Sequence, residues 1–209
     1  MNRRTLLATL GTAAVGGLAG CLGGDADAKP RYAREISLVR QNAVPDGHEV
    51  TIEVELLASQ VTPGQTARLR ITTTNEGPKR AISIGDDDCG LINRSKGGSD
   101  APPGLWLHDP DHTKYLDRNG NRWQADRPTD DPRGYSAYGC MRRTYEAGES
   151  LVNEYVLWDD YRIEGYMTPG TYRWEERVSV AETTNDFPED DRLSSFTWGF
   201  SLRVDVPDS

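Results

Sequence analysis

Apolar and polar residues alternate strictly in several stretches of this chain, and this alternation restricts the possible folds more than any other feature. Residues 50–56 read Val-Thr-Ile-Glu-Val-Glu-Leu, and the same period of two returns in residues 67–72 and 196–206. In a β-strand this period places one face on a core and the other in water. Because turn residues rather than long helical patterns separate these stretches, the sequence predicts an all-β, antiparallel β-sandwich instead of a βαβ fold.

The start of the chain carries an export pattern. Arg3 and Arg4 precede a short Gly/Ala-rich apolar run that ends in Leu-Ala-Gly-Cys at Cys21, and the first acidic residue is Asp25. A positive end, an apolar middle and small residues before a cysteine are the parts of a cleavable signal. The pattern resembles a twin-arginine signal closed by a lipobox, in which Cys21 is lipidated and becomes the mature N-terminus.

This resemblance implies that residues 1–20 are a signal peptide and that lipid on Cys21 holds the chain at the extracellular face of the cell membrane. An uncleaved membrane anchor is the alternative, although the apolar run is short and rich in glycine for that role. Residues 21–34 are mainly Gly, Ala and Asp with Pro30, and they show no periodic apolar pattern. We expect a flexible tether over residues 21–34 and a single folded domain over residues 35–209.

The charge balance restricts the partners. The chain has 33 acidic and 24 basic residues, and loss of two arginines with the signal would change its net charge from −9 to −11. Nucleic acid is therefore not expected as a partner, because phosphate binding needs clustered Lys and Arg. Strong acidity with only four lysines resembles proteins of salt-loving archaea, in whose molar salt like-charge repulsion is largely screened. An ordinary acidic secreted domain is the alternative.

Two cysteines remain once Cys21 is assigned to lipid. In an oxidising compartment the simplest use of Cys89 and Cys140 is one disulfide. It would close a loop of about 50 residues, for which the chain-entropy model gives roughly 4 kcal/mol. A metal site at these cysteines is less favoured, because neither has a His or a second Cys within a few positions.

Two further features are weak candidates for metal binding. His108 and His112 are four residues apart with acids between them, but Pro110 argues against the helix that would align them, and no third ligand is evident. Asp86-Asp87-Asp88 has carboxylates that calcium could use, yet the EF-hand spacing is missing. We therefore expect no metal and no cofactor, with His108 and His112 as the residues to examine first.

The strongest local hairpin signal lies in residues 115–123. Asn119-Gly120 is typical of a type I′ turn, and Leu116 and Trp123 on either side can pack on a sheet. We expect two short strands here.

The C-terminal third carries a family resemblance. It combines a Gly-Glu turn at residues 148–149, a strand that ends in Tyr-x-x-Trp at Trp158, and Pro-Gly-Thr-Tyr at residues 169–172. This order resembles the closing strands of immunoglobulin-like domains of the BsuPI family, named for a bacillus intracellular proteinase inhibitor. The turn at residues 74–77 and the hairpin that ends at Trp123 resemble earlier parts of that family.

The resemblance covers most of residues 49–180 and implies an immunoglobulin-like sandwich. It consists mainly of strand and turn patterns, so it bears on fold more than on function, and the family contributes no catalytic residue. No Gly-x-Ser-x-Gly elbow or Gly-rich phosphate loop occurs, so we expect no enzyme.

We therefore expect a non-catalytic binding or interaction module whose partner is an unknown extracellular protein or ligand. The first alternative is a protease inhibitor of the BsuPI type, which would present residues 85–104 or 126–134 to a protease. The second is capture of a small solute or metal, to which His108 and His112 point.

Overall fold

The computed structural model describes residues 31–93, 95–134, 140–182 and 193–208. The export residues Arg3 and Arg4, the lipidation candidate Cys21 and most of the expected tether lie outside these ranges. The strands are β1 (Arg34–Gln41), β2 (Val50–Ala58), β3 (Gln60–Val61), β4 (Arg68–Asn75), β5 (Arg80–Ile82), β6 (Leu105–His108), β7 (Arg143–Tyr145), β8 (Ser150–Asp159), β9 (Gly170–Ala181) and β10 (Leu193–Asp205). A 3₁₀ turn covers Asp87–Cys89, and helix α1 covers Pro110–Thr113.

The strands form two antiparallel sheets that pack face to face, so the predicted all-β sandwich is confirmed. The larger sheet has the order β3-β1-β10-β9-β5-β7, and the smaller has the order β2-β4-β8-β6. The register between β9 and β10 runs without interruption from Ala181 opposite Leu193 to Gly170 opposite Val204. Such long pairing at the centre of the larger sheet gives the fold a rigid base.

Aromatic side chains fill much of the core between the sheets. Trp174, Trp198 and Phe200 are each at most 1% exposed, and the Trp174 and Phe200 rings stack with their centres 5.3 Å apart. The indole N–H of Trp174 donates to the Gly97 carbonyl at 2.9 Å, and that of Trp198 donates to the Asn42 carbonyl at 2.8 Å. Large apolar area is therefore buried without leaving these indole donors unpaired.

The Cys89–Cys140 disulfide is confirmed, with the two Cα atoms 5.3 Å apart. This distance lies within the usual range for disulfides. The bond joins the 3₁₀ turn after β5 to the segment just before β7. It closes a loop that contains β6, α1 and residues 109–134.

Residues 109–134, which we call the cap, lie over one end of the outer face of the smaller sheet. Leu105 and Leu107 of β6 belong to the core, so the alternation turns Trp106 and His108 outward. Their register partners on β8 are Trp158 and Val156. This outer face is therefore apolar at its β6–β8 end, and Trp123 of the cap packs on Trp158 with ring centres 5.6 Å apart.

In the cap the chain reverses direction near Asn119-Gly120, but the expected type I′ turn and the two expected strands do not form. A bridge joins Arg118 to Ala125, and on either side of it the Asn119 N–H donates to the Gln124 carbonyl at 2.9 Å and the Asp126 N–H to the Asp117 carbonyl at 2.8 Å. Gly120 has a positive φ of 56° while Asn119 does not, although a type I′ turn needs positive φ at both positions. Tertiary contacts hold this segment instead, because Trp123 donates its backbone N–H to the Tyr166 hydroxyl at 3.2 Å and its indole N–H to the Thr62 carbonyl at 2.7 Å.

Pro110 begins a helix rather than preventing one. It lies at the start of α1, where the missing N–H has no intrahelical partner to lose. Asp109 caps the turn by accepting from the Asp111 N–H at 2.7 Å. The helix therefore starts after His108, which lies in β6, and no helix aligns His108 with His112.

Candidate functional site

A cavity of about 180 Å³ lies between the cap and the outward side chains of β6 and β8. We call it the outer-face cavity. The side chains around it that carry its chemistry are Trp106, His108, His112, Arg133, Asp159 and Tyr161. Strand β6 positions the first two, α1 positions His112, and the end of β8 with the residues after it positions Asp159 and Tyr161.

The two histidines singled out in the sequence both line this cavity. The His108 ring lies 5.7 Å from the Trp158 ring, centre to centre, in an edge-to-face arrangement, and 6.1 Å from the Trp106 ring. Burial lowers the pKa of His108 to about 3, and the nearby Arg133 and His112 contribute in the same direction. His108 is therefore a neutral imidazole at neutral pH.

Asp159 is an acidic group buried in the cavity wall. Its two carboxyl oxygens accept from the Met167 backbone N–H and from the Gln124 side chain, each at 2.5 Å. Burial raises the pKa of Asp159 to about 7, with a further contribution from Asp160, and the two hydrogen bonds only partly oppose this. Near neutral pH the group exchanges between a carboxylic acid and a carboxylate.

Arg133 forms part of the cavity wall together with two aromatic rings. Its guanidinium carbon lies 3.7 Å from the Trp106 ring centre and 5.1 Å from the Tyr161 ring centre. The same guanidinium pairs with Asp160, and both charged side chains are mostly buried. A stacked, paired guanidinium is held in place and can still present N–H groups to a bound molecule.

His108 and His112 have no third metal ligand placed with them among the residues that the structure describes. In those ranges no cluster of three or more His, Cys, Asp or Glu side chains is placed to hold a metal ion. In the acidic triplet, the Asp86 carboxylate lies 3.6 Å from the Arg143 guanidinium.

Residues 85–104, one of the two loops considered for protease inhibition, pack closely onto the domain. Leu91 and Ile92 are about 5% and 4% exposed, and the Ile92 N–H donates to the Tyr155 hydroxyl at 3.2 Å. Further along, the Leu107 N–H donates to the Gly97 carbonyl at 2.8 Å. Residues 126–134 are mostly exposed and are the better placed of the two loops for contact with another protein.

Sequence reasoning found His108 and His112 but missed the rest of the cavity. Asp159 follows a strongly apolar strand, and a buried acid at such a position is a signal that could have been noticed. Trp106 could have been assigned to the outer face from the alternation of β6. No local signal marks Arg133, because its place depends on the path of the cap.

Among the described residues, no helix has both the length and the apolar character needed to cross a membrane. Comparison of the chain with protein-family models, with curated proteins and with solved structures finds no match.

Proposed function

We propose that this chain is a non-catalytic lipoprotein, anchored at the extracellular face of the membrane through Cys21, whose sandwich domain binds a small molecule in the outer-face cavity. The observation that carries this proposal is the convergence of aromatic, imidazole, guanidinium and carboxyl groups on one cavity. Small-molecule sites are commonly concave and largely apolar, with a few polar groups that set orientation. The disulfide agrees with an oxidising compartment.

The size and lining of the cavity restrict the ligand. A volume of about 180 Å³ is below the roughly 300–1,000 Å³ of pockets that hold drug-sized ligands. Trp106 and Tyr161 offer ring surfaces, and Arg133 and Asp159 offer a donor and a titratable acid. A compact molecule with one flat apolar side and polar groups at its edge fits this combination.

A larger side chain at Gly134, on the rim of the cavity, is expected to weaken binding without unfolding the domain. Gly134 lines the cavity, and a Cβ added there meets no described atom within 4 Å. Gly134→Leu should therefore add an apolar side chain at the rim of the cavity without disturbing packed atoms, and it should weaken binding by about 10-fold or more because it narrows the space open to the ligand. Native mass spectrometry of the protein isolated from its own membrane would compare retained small-molecule mass in the variant and the wild type.

Gly64→Leu is the matched control, since Gly64 lies in the turn between β3 and β4 and a Cβ there first meets Thr62 Oγ1 at 3.9 Å. It should retain ligand like the wild type. Titration of tryptophan fluorescence with benzoate, glucose and choline extends the test to weakly held molecules. Equal occupancy of the Gly134 variant and the wild type would exclude this cavity as the site. Absence of both a retained mass and a saturable response to the three probes would also count against the proposal.

Protease inhibition is the second candidate, and the exposure of residues 126–134 is the observation that favours it. An inhibitor presents an exposed, firmly held loop to the protease, and the Tyr161 hydroxyl holds this loop through the Asp131 carbonyl at 2.9 Å. Stoichiometric inhibition of a secreted protease by micromolar protein in molar salt would establish it. Unimpaired protease activity, with cleavage of the loop as a simple substrate, would reject it.

A further inference from the structure

Four arginines and two tyrosines gather at the end of the sandwich where the described chain begins. Arg122 lies 5.3 Å from the Tyr32 ring centre and 5.8 Å from the Tyr166 ring centre, and Arg34 lies 5.3 Å from the Tyr166 ring centre. We call the set Arg31, Arg34, Arg118, Arg122, Tyr32 and Tyr166 the arginine pole. All of them except Arg118 line one shallow depression of about 380 Å³.

Arg118 joins the pole through its neighbours. Its guanidinium lies 4.0 Å from the Trp123 ring centre, and its Nε donates to the Arg122 carbonyl at 3.3 Å. The Tyr32 and Tyr166 rings meet edge to face, with centres 5.6 Å apart. The pole is therefore one continuous surface of cations and aromatic rings.

None of the four arginines forms a salt bridge among the described residues, although the chain has more acids than bases, and the charge of Arg122 acts on the Asp159 carboxyl without direct pairing. Arg34 donates to the backbone carbonyls of Met167 and Tyr166, and Arg118 donates to those of Pro63 and Gly120. Elsewhere on the domain arginines pair with acids, as Arg70 does with Glu154 at 2.9 Å. Glu164 is the one acidic residue that lines the same depression.

The donors of Arg31 and Arg122 are available to an external group. Arg31 is exposed, and within the described ranges neither guanidinium donates a hydrogen bond to the protein. Guanidinium groups bind phosphate oxygens through paired N–H donors. Tyrosine and tryptophan suit the boundary between water and lipid, because one part of each side chain is apolar and another is polar.

The arginine pole lies close in the sequence to the proposed lipid anchor at Cys21, and this favours the membrane as its partner. Arg31 comes ten residues after Cys21. Ten residues reach at most about 35 Å even when fully extended. A lipid on Cys21 therefore keeps Arg31 within that distance of the bilayer surface, and the rest of the pole lies beside Arg31.

We propose that the arginine pole binds the anionic phospholipid headgroups of the membrane to which Cys21 is anchored. This inference rests on the lipid anchor of the proposed function. Arg31 and Arg122 contact phosphate directly, while Arg34 and Arg118, held by backbone carbonyls, keep the surface positive and hold the rings in place. The screening length in molar salt is about 3 Å. Direct guanidinium–phosphate contacts are about this short, so molar salt does not abolish them. The domain then sits with the pole on the bilayer.

The test couples the full-length chain through the Cys21 thiol to maleimide lipid in vesicles, since Cys89 and Cys140 are joined in the disulfide. Phenylglyoxal modifies free guanidinium groups, and peptide mass spectrometry gives a rate for each arginine. In phosphatidylglycerol vesicles we expect Arg31 and Arg122 to react about 10-fold more slowly than in phosphatidylcholine vesicles, because each arginine near an anionic surface adds to the binding.

Arg40 and Arg177 are internal controls, because both are exposed and lie on the larger sheet away from the pole. Their rates should be the same in both kinds of vesicle. Arg31→Gln should restore much of the reactivity of Arg122, whereas Arg40→Gln should leave Arg122 protected. Measurement at low salt and in molar salt separates long-range attraction from direct contact, and protection should persist in both.

Two results would overturn the inference. One is that Arg31 and Arg122, like Arg40 and Arg177, react at the same rate in phosphatidylglycerol and in phosphatidylcholine vesicles. The other is equal protection of Arg31 and Arg122 by dissolved inorganic phosphate without anionic lipid, which would indicate a site for a free anion. Because chemical coupling replaces the natural anchor, these results do not depend on whether cells lipidate Cys21. The mass of the chain isolated from its native membrane tests that lipidation separately.

Discussion

Replacement of Cys89 and Cys140 together by alanine is expected to lower the free energy of unfolding by about 4 kcal/mol. The two cysteines are 51 residues apart, and the crosslink restricts the unfolded chain over that whole length. The enclosed loop includes β6, the cap and most of the residues that line the outer-face cavity, while Asp159 and Tyr161 lie outside it. The loss should therefore affect ligand binding as well as global stability.

Urea unfolding in molar salt, followed by tryptophan fluorescence, measures this change. Cys21→Ser is the control, because it removes a cysteine and leaves the disulfide intact, and its unfolding should match the wild type. A double alanine variant within about 1 kcal/mol of the wild type would show that the crosslink contributes little beyond what packing already provides.

Asp159→Asn is expected to remove a loss of stability that the wild type suffers as pH rises. The pKa of Asp159 is about 7 in the folded protein, above its usual value of 3.8. Between about pH 4 and pH 7 the folded state therefore keeps a proton that the unfolded state has released, and stability falls as pH rises through this window. The full loss is about 4 kcal/mol by pH 8, and the asparagine variant should not show it.

His108→Phe is expected to remove a loss of stability that the wild type suffers as pH falls. The pKa of His108 is about 3 in the folded protein, below its usual value of 6.5. Between these values the unfolded state binds a proton that the folded state does not, so stability falls as pH decreases below about 6.5. Phenylalanine keeps an aromatic ring beside Trp158 and removes the titrating group.

In the wild type the two contributions oppose each other between about pH 4 and pH 6.5. Urea unfolding of the wild type, both single variants and the double variant across about pH 4 to pH 8 separates them. Relative to the wild type, Asp159→Asn should gain stability toward high pH, and His108→Phe should gain it toward low pH. The double variant should show both gains. Parallel curves for the wild type and Asp159→Asn would mean that Asp159 ionises as it does in the unfolded chain.

The sandwich could be predicted from the sequence because strand faces depend on local alternation. Residues 67–72 alternate in the sequence, and Leu69 and Ile71 lie in the core as that pattern requires. The disulfide could also be predicted, because two cysteines in an oxidising compartment usually form a disulfide with each other. The first inference needs only the order of residue types along one stretch, and the second needs only the number of cysteines.

The segment 115–123 shows where local signals failed. Asn119-Gly120 favours a tight hairpin by its own conformational preference. In the folded chain, Trp123 instead packs on Trp158 and bonds to Thr62 and Tyr166. Burial of a tryptophan outweighs the preference of a two-residue turn, and residues far away in the sequence determine that burial.

By itself, the sequence determined the main alternating strands, their buried faces and the pairing of Cys89 with Cys140. Only the tertiary structure decided which polar groups meet. Asp159 and His108 are 51 residues apart in the sequence, yet both line the outer-face cavity. Arg122 and Tyr32 are 90 residues apart, yet they are in contact in the arginine pole. Alternation records which way a side chain points, because strand geometry has a period of two. Which side chains become neighbours depends on sheet order and the path of the cap, and these follow from packing of the whole domain.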